Sequence, residues 1–171
     1  MAVAKLEITQ AFPAGLDRLW AVFGTPDYTG QKYRALGSTA VQIRRFDATA
    51  REIAVELERL SPVAVDTVPA WARPFVGKHQ AMRHATVWRR TNAKRIDAVL
   101  EIDPVGQPVA ARGTGEVIEI DPTHSRLTLH FDVTCRIPRL GGTVAAMYAS
   151  QIEEALRADH AFTLRYLRDA G

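Results

Sequence analysis

The feature that most limits what this chain can fold into is its tail. After Pro138-Arg139-Leu140-Gly141-Gly142, residues 143–168 contain neither proline nor glycine. A stretch of that length with an apolar period near 3.6 reads as one helix of about seven turns. Advancing about 100° per residue puts Val144, Tyr148, Ile152, Ala155, Phe162 and Tyr166 in one arc, with Leu156 and Leu167 at its edge. Ser150, Glu154, Arg157 and Arg168 point the other way. A long helix with one apolar face needs a broad apolar surface to lie on, and the upstream sequence has to supply it.

The surface it supplies is a sheet. Residues 3–12 alternate, with Leu6, Ile8, Gln10 and Phe12 opposite Lys5, Glu7 and Thr9, and predict a strand. Two short helices are expected over 14–36. The first gathers Leu16, Leu19, Trp20 and Phe23 on one side, and the second opens with Thr25 as N-cap and Pro26 in the first turn. From residue 38 the period becomes two, predicting strands over 38–47, 51–60, 80–91, 94–103, 107–120 and 125–138. Short turns such as Thr91-Asn92, Asp103-Pro104-Val105-Gly106 and Asp121-Pro122-Thr123 join the later strands, as in an antiparallel meander. Ser61 to Lys78 carries Pro62, Pro69 and Pro74 and reads as a loop with one helical turn. The expectation is an α+β chain, one domain over 1–171, in which a curved antiparallel sheet of about seven strands grips a C-terminal helix over 143–168.

Charge and composition narrow the function. Hydrophobic residues make up 47% of the 171, enough for a substantial core, and no run is long enough to span a bilayer. The start lacks an apolar signal-peptide core, so a cytoplasmic location is expected. The net charge is +3, and the arginines are interspersed with acidic residues. The densest basic group, Arg83, Arg89, Arg90, Lys94 and Arg95, has only Trp88 as a nearby stacking aromatic, so nucleic acid is not an expected partner. The five histidines (79, 84, 124, 130 and 160) form no ligand pair and Cys135 is the single cysteine, so neither a metal nor a cofactor is expected. Cys135 alternates with Phe131 and Val133 and reads as an inert core thiol. Gly113-Thr114-Gly115 matches no phosphate-binding loop and reads as a kink in a long strand.

Two residues disturb the apolar pattern. Asp159 falls near the centre of the tail helix's apolar arc, where a carboxylate must be paired, hydrogen-bonded, neutralised or wet. It either bonds a Tyr, Trp or Arg across the core or projects into a solvated or ligand-filled cavity. In the strand over 80–91, Met82, His84, Thr86 and Trp88 share a face. An inward histidine is ordinarily a satisfied core residue, but His and Thr together suit a lined cavity better than a dry core.

The order strand, two short helices, six strands, long helix resembles the START and birch-pollen-allergen superfamily, the helix-grip fold. Local sequence sharpens the likeness. Val68-Pro69-Ala70-Trp71-Ala72-Arg73-Pro74-Phe75-Val76, Trp88, Ile137-Pro138-Arg139-Leu140-Gly141-Gly142 and Phe162-Thr163-Leu164-Arg165-Tyr166-Leu167 resemble an uncharacterised bacterial family of that superfamily, domain-of-unknown-function family 2505. The similarity covers nearly the whole chain, and its motifs are structural. It implies a cavity between sheet and tail helix, which the superfamily uses for lipids, sterols, polyketides and hormones. Some members are cyclases or dehydratases and others co-chaperones, so fold does not settle function.

The leading expectation is a non-enzymatic binder of a small hydrophobic or amphipathic molecule. Met82, His84, Thr86, Trp88, Leu129, Phe131, Tyr148, Ile152, Asp159 and Phe162 would line the cavity, and the loop around Trp71 would cover its mouth. A homodimer is compatible with that role. One rival is a polyketide cyclase or lyase with Asp159 and His84 as acid–base pair. The other is a protein-interaction module.

Overall fold

In a computed structural model, which describes residues 1–170, the chain forms one seven-stranded antiparallel sheet and three α-helices. Strand β1 (Ala2–Phe12) is followed by α1 (Leu16–Phe23) and α2 (Pro26–Ala35). Then come β2 (Ala40–Ala48), β3 (Glu52–Pro62), β4 (His79–Asn92), β5 (Arg95–Pro104), β6 (Val109–Asp121) and β7 (His124–Cys135), and α3 (Gly141–Asp169) ends the chain. The sheet order is β1-β7-β6-β5-β4-β3-β2. This is the helix-grip architecture, with α3 packed chiefly on β1 and β7.

That order explains the two short helices. Strand β1 lies at one edge of the sheet and β2 at the other, so α1 and α2 must carry the chain across its width. Alternation along β1 buries Ile8, Gln10 and Phe12 and exposes Lys5, Glu7 and Thr9. Pro26 occupies the first turn of α2, where its missing N–H costs nothing. Thr25 at the N-cap makes no capping bond and instead donates its hydroxyl to the Ala21 carbonyl at 2.8 Å. No local side chain caps α1 either; the Glu119 carboxylate of β6 accepts from Leu16 N–H at 3.0 Å.

The segment between β3 and β4 has two short 3₁₀ turns, Val65–Thr67 and Arg73–Phe75, rather than one helical turn. Helix α3 begins at Gly141, two residues before the proline- and glycine-free stretch, and its buried stripe is rotated from the predicted arc. Val144 and Ile152 of that arc are buried, joined by Ala145, Ala149, Thr163 and Leu167, whereas Tyr148, Ala155, Asp159 and Phe162 are only partly so. The cause is the shape of the sheet side: the first group packs into the core, and part of the second faces open space.

Gly113 and Gly115 do not break β6, which keeps its register with β7 through both. Gly113 pairs with Phe131 and Gly115 with Leu129. A Cβ added at Gly113 would stand 2.5 Å from Phe131 Cε1, and one at Gly115 would stand 2.9 Å from Leu129 Cδ2. The glycines make room for two large inward side chains of β7. Replacing Gly113 by valine is therefore expected to destabilise the fold by about 1–3 kcal/mol through overpacking. Adding Phe131→Leu should recover part of the loss, as urea denaturation of the single and double variants would show.

Candidate functional site

Between the sheet, α2, α3 and the 3₁₀-containing loop lies a cavity of about 600 Å³, within the usual range for small-molecule sites. Met82, His84, Thr86 and Trp88 line it from β4, as their shared parity predicts. Leu129 lines it from β7, and Tyr148, Ile152 and Asp159 from α3. Trp88 stacks on Phe23 with ring centroids 4.9 Å apart.

Three residues expected in the lining lie elsewhere. Phe131 is buried in the core over Gly113. Phe162 stands beside Tyr28 and Tyr166, with centroid separations of 5.9 and 6.1 Å, in an aromatic cluster behind the cavity. Trp71 is 42% exposed on the outside of its loop. That loop covers the cavity with Val63, Ala64, Thr67, Val68 and Val76 instead. Arg73 Nε donates to the Val68 carbonyl at 3.0 Å and ties the loop to itself.

Asp159 is paired, but with a lysine. Lys32 Nζ lies 3.0 Å from Asp159 Oδ2, with the two side chains 14% and 27% exposed. The same ammonium stands 4.9 Å from the ring centroid of Tyr33 and 5.3 Å from that of Tyr28. Burial opposes the charge on Lys32, but Asp159, with Tyr33 and Tyr28, outweighs it and holds the ammonium protonated beyond its ordinary range. Thr163 Oγ1 donates to the Asp159 carbonyl at 2.9 Å. That leaves the Tyr28 hydroxyl as donor in its 2.6 Å bond to Thr163 Oγ1. Burial is the main reason the Tyr28 hydroxyl is pushed up to about 12.

His84 belongs to a second group. Arg59 Nε donates to His84 Nε2 at 3.0 Å, so a neutral His84 carries its proton on Nδ1, which faces the Tyr33 hydroxyl at 3.5 Å. Arg59 Nη1 donates to Ser61 Oγ at 2.7 Å and to Ser38 Oγ at 3.4 Å. Burial, then the neighbouring Arg59 and Lys32 charges, push the His84 pKa well below 6.5. The cavity thus gathers both predicted polar residues without joining them. Asp159 is held by Lys32 and His84 by Arg59, and Lys32 and Tyr33 connect the two groups. Neither is a free acid or base.

Lys32, Tyr28, Tyr33, Arg59, Ser38 and Ser61 were not singled out from the sequence. Their signals are nonetheless local. Tyr28 and Lys32, like Thr29 and Tyr33, are four apart on α2, and all four line the cavity. Arg59 and Ser61 extend the odd-numbered inward series Val55, Leu57 of β3. Among the described residues no group of His, Cys, Asp and Glu is placed to hold a metal ion, and no helix is long and apolar enough to cross a membrane.

Two outcomes follow from this geometry. Replacing Lys32 by methionine leaves Asp159 without its cation and should cost about 3 kcal/mol, the low end for a broken buried pair, with Asp159→Leu in the same chain recovering most of it. For His84, the unfolded chain takes up a proton near pH 6.5 while the folded chain does not. Stability is then lost as pH falls from about 7 toward the depressed folded pKa. Urea titrations between about pH 7.5 and about pH 5 should show a steeper loss in the wild type than in His84→Gln. The low value of Asp121, about 2, held chiefly by the Thr123 backbone N–H, acts in a separate and more acidic window.

Comparison with known proteins agrees with the architecture. The chain resembles the Zhui aromatase/cyclase from a Streptomyces species at 18% identity and TM-score 0.62, over 97% of this chain and 94% of that one. A START superfamily protein from Mycobacterium smegmatis matches at 11% identity and TM-score 0.55, over 98% and 99%. Norcoclaurine synthase from Thalictrum flavum matches at 11% identity and TM-score 0.57, over 96% and 88%. At these identities the likeness is one of fold. No curated protein matches the sequence. A family model described as a protein of unknown function, DUF2505, matches residues 7–167. The chain belongs to the DUF2505 family, within the START-like helix-grip fold.

Proposed function

We propose that this protein, acting as a single domain, binds a small hydrophobic or amphipathic molecule in the cavity between sheet and α3, and does so without catalysing a reaction. The observation that carries this reading is the cavity itself: about 600 Å³, with Leu57, Met82, Trp88, Leu100, Leu129 and Ile152 in its walls and charged groups gathered around Lys32 and Arg59. Apolar walls favour burial of an apolar ligand body by about 25 cal/mol per Å² removed from water. Polar side chains at fixed positions orient one end of such a ligand. The norcoclaurine synthase structure, described in complex with dopamine and hydroxybenzaldehyde, is consistent with small-molecule binding in a chain of this shape. A cyclase or lyase needs an acid or base free to reach substrate, whereas Asp159 and His84 are each engaged by a cation.

The test is direct. Native mass spectrometry of gently purified protein should reveal a co-purifying small molecule, or uptake of an added apolar fluorophore where none co-purifies. Ala155→Phe, which projects a ring into the cavity from α3, should abolish either signal while leaving the fold intact by circular dichroism. Retention of full binding in Ala155→Phe would sink the assignment to this cavity.

A further inference from the structure

Four ionisable side chains that carry formal charge near neutral pH line the cavity: Lys32, Arg59, Glu154 and Asp159. Lys32 and Asp159 cancel each other, and Glu154 is exposed on α3. Arg59 is different. Among the described residues, no carboxylate lies within 4.0 Å of its guanidinium, and its surroundings are a histidine, a tyrosine ring and two serines. On the outer face the opposite holds. Glu58, the next residue back on the same strand, accepts from both Arg44 and Arg83 at 3.4 and 3.3 Å, and Arg89 reaches Glu52 at 3.0 Å. On this side of the sheet Arg44, Arg83 and Arg89 each meet an acid, and the arginine in the cavity wall does not.

A permanent cation in a partly desolvated wall is costly without a counter-charge. The hydrogen bonds around Arg59 show where one would sit. Its Nε is taken by His84 and its Nη1 by Ser61 and Ser38, while Nη2 has no protein acceptor among the described residues. Ser38 and Ser61 lie 3.1 Å apart and share one hydrogen bond, which leaves one hydroxyl hydrogen available beside Arg59. Donors of this kind, with one uncompensated positive charge, match a planar monoanion.

We infer that Arg59 is the counter-charge for a ligand carboxylate, so that the molecule held in the cavity is an amphipathic monoanion. This rests on the cavity being a ligand site and adds the chemistry of the ligand's head. The apolar walls take the body, and Arg59 Nη2, aided by a serine hydroxyl, takes the carboxylate.

Three probes with the same tail separate the possibilities: laurate, dodecanol and dodecyltrimethylammonium, each titrated calorimetrically below its micellar concentration at neutral pH. Wild-type protein should prefer laurate to dodecanol by about tenfold or more, the usual worth of a charge-assisted hydrogen bond, and should bind the cation weakest. Arg59→Met should erase the laurate preference, read as the ratio of laurate to dodecanol affinity within the same variant, and Arg59→Lys should keep part of it. Equal affinity of the wild type for laurate and dodecanol, or a preference that survives in Arg59→Met, overturns the inference while the cavity reading stands. Failure of the wild type to bind any of the three overturns both. The wild-type comparison decides the matter even if Arg59→Met does not fold.

Discussion

A helix laid along one end of a wide sheet cannot cover all of it, and most of this structure follows from that mismatch. Helix α3, with 29 residues, is about 43 Å long, but it packs chiefly on β1 and β7. The outermost strands of a seven-stranded sheet stand about 29 Å apart across the sheet. The inward faces of β3, β4 and β5 are therefore left without a packed helix. They are neither polar enough to meet bulk water nor close enough to α3 to pack on it. Helix α2 and the loop after β3 close the sides, and what remains is a lined space rather than a core.

A partly enclosed space of this kind sets terms for any charge that borders it. Lys32 meets those terms with a carboxylate and two aromatic faces, and Asp159 meets them with the ammonium. The pair also joins α2 to α3, beside the hydrogen bond from Tyr28 to Thr163 and the packing of Tyr28 on Phe162 and Tyr166. It closes one side of the cavity with an ionic contact in place of an apolar one. His84 is held toward its neutral form by burial first, and then by the Arg59 and Lys32 charges beside it, while Arg59 occupies its Nε2. The two polar groups therefore differ in character: one is balanced within the protein and the other is not.

How far the sequence could be read depended on what kind of order each residue obeyed. Period two along the strands and the unbroken tail predicted a sheet gripping a helix, because alternation and helix length are properties of the chain alone, and local sequence such as 68–76 and 137–142 sharpened the likeness to the helix-grip fold. Parity assigned Leu129 and Phe131 to the inward face together, and both are indeed buried. Parity says which face a side chain takes but not what stands above it, so only Leu129 reaches the cavity while Phe131 fills the core over Gly113. Phe162 lies in the predicted arc, at a level of α3 that Tyr28 of α2 already occupies. Trp71 is in a loop, where there is no period to say which way an aromatic turns. Arg59 and Lys32 went unnoticed for a related reason. A charged residue on an inward face looks like an error of register until the partner from another element is known.

The pairing of β1 with β7 also constrains when this fold can form. Ala2 lies opposite Cys135 and Phe12 opposite Ser125, so the N-terminal strand has no partner in the sheet until nearly all of the meander has been made. The hairpins from β2 to β7 are local and can zip in sequence, while closure against β1 carries the entropy of a loop of more than a hundred residues. In the order of the chain, β1 thus stays unpaired until β7 exists, and the face that β1 and β7 share stays uncovered until α3 follows them. A cavity whose walls come from α2, the strands of the sheet and α3 together is therefore complete only once α3 has docked, so the container is the last part of the fold to be finished.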